Sequence, residues 1–215
     1  MPGHKRAGAC VALLLGYLFL PAVADTPDPG LARLQDFLAE LDTLTADFTQ
    51  DVMNRELELV ESATGQVVLQ KPGRFRWDYR EPFERVIVAD GERVWLYEAD
   101  LDQVTVRRLD EGLGETPAAL LTGSVDVLER FEFLGSDSQE ELLWVQLGPR
   151  SESGDFDSIR LGFDGPLLTR LELRDRLGQT TRLAFSGVEQ GAVLPDTVFT
   201  FDVPAGVDVI GEDEL

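Results

Sequence analysis

The sequence predicts a mainly β domain of the α+β kind. It would be a single antiparallel, strongly curved sheet forming an incomplete barrel, covered by an N-terminal helix and short mid-chain helices. Three observations predict this. About a dozen short segments alternate apolar and polar residues with the period of two that gives a strand one wet face. Most neighbouring segments are separated only by turn residues, and strands joined so tightly pair antiparallel. The helical signals are too few to supply crossovers for a parallel sheet, so those helices must lie against a sheet face or plug the open mouth.

Taken in order, Asp28-Pro29 supplies an N-cap and a first helical position. Leu31, Leu34, Leu38 and Leu41 follow at three- and four-residue steps with Phe37 alongside, while Arg33, Asp36, Glu40 and Asp42 fall elsewhere. This spacing predicts an amphipathic helix over 29–42. The period then drops to two: Leu44, Ala46, Phe48, Gln50 and Val52 alternate with Thr45, Asp47, Thr49 and Asp51. Strands at 57–60 and 66–70 flank Ser62-Ala63-Thr64-Gly65, which reads as a hairpin turn. Over 74–80, Phe75, Trp77 and Tyr79 face one side and Arg74, Arg76, Asp78 and Arg80 the other. Strands at 86–89 and 93–97 flank Asp90-Gly91, a strong two-residue hairpin signal, and 103–108 continues the series. Thr116-Pro117-Ala118-Ala119-Leu120-Leu121 places a cap and a proline before an apolar helical turn, and 125–130 is a second short piece. Strands resume at 131–134, 142–147, 158–163, 167–173, 180–185 and 197–201. No Pro/Gly/Ser-rich linker divides the chain, so one domain is expected over 25–215.

The first 24 residues do not belong to that domain. His4-Lys5-Arg6 is a basic start, 9–20 is a short apolar run, and Pro21-Ala22-Val23-Ala24 ends in the small-x-small pattern of signal-peptidase cleavage. The segment reads as a cleaved secretory signal peptide, too short to span a bilayer comfortably. Cys10 precedes the end of the apolar run and is no lipoprotein anchor.

Of 215 residues, 43% are hydrophobic and the formal charge is −21. That apolar content supports a buried core. The charge excludes a cationic nucleic-acid footprint and disfavours anionic membrane surfaces. Cleavage removes the sole histidine and the sole cysteine, together with Lys5 and Arg6. The remaining chain therefore has no disulfide, no His/Cys zinc site and no Ser-His-Asp or Cys-His unit. Lys71 is its only lysine, and no Gly-x-x-x-x-Gly-Lys exists for a P-loop. Acidic pairs such as Asp155/Asp157 are expected by chance among so many carboxylates, and that stretch lacks the rest of a calcium loop. The expectation is a non-enzyme with no cofactor, no metal and no catalytic residues.

A sheet that bends on itself has a concave face. The inward set would hold Leu69, Phe75, Trp77, Val86 or Ile87, Trp95 or Leu96, Trp144 or Val145, and Ile159, Leu161 and Phe163. Such a barrel either fills with side chains or encloses a ligand. Lys71, in Gln70-Lys71-Pro72-Gly73, is either a solvated turn residue or a cation at the mouth donating to helix-end carbonyls.

Ordered stretches along most of the chain resemble one family. They are residues 65–79 (Gly65-Gln66-Val67-Val68-Leu69-Gln70-Lys71-Pro72-Gly73-Arg74-Phe75-Arg76-Trp77-Asp78-Tyr79), Val88-Ala89-Asp90-Gly91 with Val94-Trp95-Leu96-Tyr97, Leu101-Asp102-Gln103-Val104-Thr105, Thr116 to Leu121, Asp175-Arg176-Leu177-Gly178-Gln179-Thr180, and Phe199 to Val209. The family is LolA, the outer-membrane lipoprotein carrier proteins.

The resemblance implies an unclosed antiparallel barrel covered by helices, acting as a monomeric periplasmic chaperone without catalytic activity. It implies that the protein takes triacylated lipoproteins from an inner-membrane ABC transporter complex and passes them to an outer-membrane receptor lipoprotein. It further implies a lipid cavity including Leu69, Phe75, Trp77, Ile159, Leu161 and Phe163, with Phe75 at a position of cargo binding and partner contact. Leu34, Leu38, Leu120 and Leu121 match lid-facing positions. Lys71 matches an arginine that bonds lid-helix backbone groups, its partners expected near Leu38, Leu121 and Thr122. Lysine has fewer donors and no planar fork, so lid closure is expected to be weaker or differently arranged. A periplasmic binder of lipid or small hydrophobic ligands outside the lipoprotein pathway is the competing reading. The receptor lipoprotein itself would need a cysteine where the signal ends in Ala22-Val23-Ala24-Asp25, and a secreted hydrolase would have to work with carboxylates alone.

Overall fold

The computed structural model describes residues 28–109, 121–122, 127–151 and 156–211. Helix α1 spans Pro29–Glu40. The strands are β1 (Thr43–Met53), β2 (Leu59–Gln70), β3 (Arg74–Glu81), β4 (Arg85–Asp90), β5 (Arg93–Glu98), β6 (Gln103–Arg108), β7 (Phe131–Gln139), β8 (Leu142–Pro149), β9 (Phe156–Asp164), β10 (Leu167–Asp175), β11 (Thr180–Gln190) and β12 (Asp208–Gly211). A short helix α2 (Val127–Arg130) precedes β7. The 12 strands form one sheet in the order β12-β6-β5-β4-β3-β2-β1-β11-β10-β9-β8-β7. Its ends, β7 and β12, do not pair with each other, so the sheet curves without closing. The curved, open antiparallel sheet read from the alternation is thus observed, with one exception: β12 runs parallel to β6.

The concave face carries one continuous apolar cluster. It joins Leu44, Ala46 and Phe48 of β1 to Val67 and Leu69 of β2 and to Phe75 and Trp77 of β3, and it extends to Val145, Ile159, Leu161, Phe163, Leu171 and Leu183 on the other arm. Of the paired alternatives, Ile87 and Val145 face this cluster. Val86 and Trp95 face the outer side instead, in a second cluster with Val88, Val104 and Val106. Trp144 also lies outside, beneath the Arg160 guanidinium at 4.5 Å from the ring centroid.

Two sequence expectations are corrected. Residues 62–65 are not a turn. β2 runs unbroken through them, and the reversal lies at 54–58, where the Asn54 side chain accepts from the Glu58 amide at 2.8 Å. Gly65 stands mid-strand because the space is already taken. A Cβ there would lie 2.0 Å from the Asp78 carbonyl oxygen and 2.8 Å from the Phe48 ring. A glycine inside a strand marks this kind of close approach as readily as a turn. Residues 197–201 are not a strand either. Asp196–Phe199 forms a 3-10 turn, with Phe199 buried below the Arg74 guanidinium and Arg74 bonded to Asp196 at 2.6 Å. The chain then crosses to the outer face, where Phe201, Val203 and Val207 cover the second cluster. Two separate apolar sites claim Phe199 and Phe201, which mimics the period of a strand.

Candidate functional site: the covered concave face

The wall is built by strand alternation. Leu69 pairs with Phe75 and Val67 with Trp77 across β2 and β3. On the other arm Leu161 pairs with Leu171 and Ile159 with Leu173. Leu69, Phe75, Trp77, Ile159, Leu161 and Phe163 are all buried in the same cluster, so the fold brings the six predicted cavity residues together.

Helix α1 lies over them. Leu34 and Phe37 are buried, and Leu38 packs partly buried on the cluster. The Phe37 ring meets Phe163 edge-on at 5.3 Å. Leu121 joins the same cluster, whereas Leu120 lies outside the described residues. Beneath this cover the six wall residues are each at most 3% exposed.

The ends of α1 are held by polar contacts. At its start, Asp28 accepts from the Gly30 amide at 2.8 Å and from Ser136 Oγ of β7 at 2.6 Å. The Ser136 bond, chief among these, holds the Asp28 carboxyl below its ordinary range. Gly30 lets the helix approach so closely, since a Cβ there would meet that of Ser136 at 2.3 Å. At the other end the last helical bond runs from the Leu41 amide to the Phe37 carbonyl, leaving the Leu38 carbonyl among the unpaired end groups. Lys71 supplies its donor, Nζ lying 2.5 Å from Leu38 O. Lys71 is therefore a half-buried helix-end donor rather than a solvated turn residue. Burial pushes its ammonium pKa down, and the nearby Asp42 charge opposes this only in part. Of the expected partners, Thr122 is reached by the backbone: the Gly73 amide donates to its carbonyl at 3.1 Å.

The sequence reading missed two features. The Asp28–Ser136 bond joins residues 108 apart, and no local pattern announces it. Gln50 and Tyr79 form a buried pair within the apolar wall, Tyr79 donating to Gln50 Oε1 at 3.1 Å. Both sit in phase with buried apolar neighbours, which was the available signal. Burial, chiefly, pushes the Tyr79 phenol up to about 12.

On the outer face of β8–β11 and β1 lies an open hollow of about 380 Å³. Its charges are largely paired, Glu172 bonding Arg160 at 3.2 Å and Arg182 at 3.0 Å. Among the described residues no group of three or more His, Cys, Asp or Glu could hold a metal, and no helix is long and apolar enough to cross a membrane.

Residues 39–202 match the family model described as outer membrane lipoprotein carrier protein LolA. The chain is 43% identical over 196 residues to an outer-membrane lipoprotein carrier protein of Nitrosospira multiformis, covering 90% of this chain and 94% of that one. It is 39% identical to the protein of that description from Dechloromonas aromatica, covering 91% and 93%. An uncharacterized conserved protein from Thermus thermophilus shares the fold, with a TM-score of 0.51, 17% identity, and 84% of this chain aligned to 96% of that one. A covered apolar face on an unclosed sheet, and a family match that runs through both arms of that sheet, lead to one assignment: the chain belongs to the LolA family of outer membrane lipoprotein carrier proteins.

Proposed function

We propose that this lipoprotein carrier houses the acyl chains of triacylated lipoproteins against its concave face. Leu69, Phe75, Trp77, Ile159, Leu161 and Phe163 serve as cavity wall. Helix α1, through Leu34 and Leu38, and the segment with Leu120 and Leu121 serve as lid, and Lys71 is its latch. The signal peptide 1–24 is removed on export, and residues 25–215 work as a monomer in the periplasm. Cargo is received from an inner-membrane ABC transporter complex and delivered to an outer-membrane receptor lipoprotein. The role is that of a chaperone, and no catalytic step belongs to it.

One observation carries the reading. A single apolar cluster unites sheet and helix, while polar bonds hold the two ends of that helix. Such a cover can part from the wall by giving up few directed contacts, and the wall it exposes is hydrocarbon-like. Removing an acyl chain from water gains about 0.8 kcal/mol per methylene.

The test is incubation of the mature protein with membranes holding a mature lipoprotein and the transporter, followed by a search for a soluble one-to-one complex. The wild type is expected to yield it. Phe75→Glu, which puts a carboxylate at a position with 0% exposure, is expected to abolish it while far-UV circular dichroism keeps the β signature. A wild-type protein that never mobilises the lipoprotein refutes the reading.

A further inference from the structure

The concave wall holds one polar atom that the closed structure leaves without a partner. Trp77 is 2% exposed. Its Nε1 is buried and has no hydrogen-bond partner. The ring is packed against Phe48 at 5.1 Å, Tyr79 at 6.5 Å and Phe185 at 6.5 Å. The nearby polar pair does not relieve it: Tyr79 donates to Gln50 Oε1, and neither side chain accepts from the indole. Buried donors are almost always paired, and an orphan calls for an explanation. Two other buried side-chain atoms are unpartnered among the described residues, Arg33 Nε and Gln70 Oε1. Arg33 is on the covering helix and Gln70 Oε1 is an acceptor, so Trp77 alone offers a spare donor from the wall.

An indole N–H donates and cannot accept. Its complement is a group that accepts and cannot donate, and that belongs in an apolar cavity. The carbonyl of an acyl ester meets both conditions, since it caps a hydrocarbon chain and carries no N–H or O–H. We propose that Trp77 Nε1–H is the docking donor for an ester carbonyl of the cargo, fixing the depth at which the chains enter beside β3. This rests on the carrier reading and adds to it a preference for ester-linked over ether-linked lipid. The unpaired donor in the closed state is then a cost that loading removes.

The experiment uses two lipopeptide probes, a diacylglyceryl-cysteine peptide with ester-linked chains and its ether-linked counterpart of equal chain length. The wild type is expected to bind the ester form about tenfold more tightly, the size of one satisfied against one unsatisfied buried donor. The ¹⁵N-indole resonance of Trp77 is expected to move downfield with the ester probe and not with the ether probe. Trp77→Phe keeps an aromatic ring and deletes the donor, so it should bind both probes equally. The wild-type comparison and the indole resonance need no variant and stand even if Trp77→Phe folds poorly. Equal wild-type affinities, with no difference at the indole, overturn the inference and leave the carrier reading intact. Failure to bind either probe overturns both.

Discussion

Replacing Lys71 by methionine keeps most of the aliphatic stem and deletes the donor, so it isolates the contact between the β2–β3 turn and the end of α1. The bond is short, 2.5 Å from Nζ to Leu38 O, and its acceptor sits at the negative end of a helix dipole. Hydrogen bonds to charged groups contribute about 1.5–3 kcal/mol. Part of that is offset here, since burial has already lowered the lysine pKa. A net of about 1–2 kcal/mol remains for holding α1 on the sheet, which corresponds to about a 5–30-fold rise in the population with α1 displaced. Native-state hydrogen exchange reads this directly: amides of α1 should exchange faster by that factor while those of β1 and β2 are unchanged. Exchange in α1 equal to the wild type, or an equal acceleration across α1 and the sheet, would refute the reasoning. The pH dependence has a defined sign. A lysine whose folded pKa is depressed binds fewer protons folded than unfolded between that pKa and its ordinary 10.5. Lys71 therefore adds stability as pH rises through this window. In Lys71→Met that increment is absent from the difference between alkaline and neutral unfolding curves.

Three further outcomes follow from the same contacts. Asp28→Ala removes both the helix cap and the link to Ser136, so exchange should quicken in the first turn of α1 and leave its last turn slow. Acid should act likewise on the wild type: Asp28 is depressed below its ordinary 3.8, so its contribution is complete above 3.8 and fades as pH falls through the lower folded value, visible as early loss of protection at the start of α1. Gly65→Val forces a side chain onto the Asp78 carbonyl and the Phe48 ring, and overpacking with a backbone clash should cost about 3 kcal/mol or more, measured as a lowered denaturant midpoint.

Much of the fold was legible because strand alternation is a local code that the buried face enforces. Phe75, Trp77 and Tyr79 face inward in the phase the sequence assigns, and a slip of one residue would have put Arg76 and Asp78 into the core. The failures occur where one residue serves two demands. Gly65 has the composition of a turn but marks a close backbone approach. Phe199 and Phe201 have the spacing of a strand but fill two separate sites. The choice between Trp144 and Val145 was open because both are apolar neighbours, and it is settled by Val145's place in the inner cluster and the Arg160 guanidinium over Trp144. At the site, apolar positions were readable from period, whereas the residues around Lys71 suited a solvated turn as well, and its helix-end role came from the resemblance. The Ser136 anchor and the unpaired indole of Trp77 depend on which strands meet and how rings pack, and no spacing along the chain encodes either.

On the reading proposed above, a wall already covered by the protein's own side chains is what lets the carrier release its cargo. A hollow that gave every methylene its full 0.8 kcal/mol would hold long acyl chains near the ceiling of non-covalent affinity, about 18–21 kcal/mol, and release would be too slow to be useful. Here Leu34, Phe37 and Leu121 are already buried on the wall. Freeing three large apolar side chains costs on the order of 5–9 kcal/mol, at about 1.5–3 kcal/mol each. Cargo must offset that loss before it gains anything, so roughly the first ten methylenes only replace the protein's own side chains. On that reading the helix takes the wall back when the cargo departs. The side chains that cover the wall would then compete with cargo for one surface, and their bulk, together with the few bonds at Lys71 and Asp28, would set how readily a lipid anchor is taken up and surrendered.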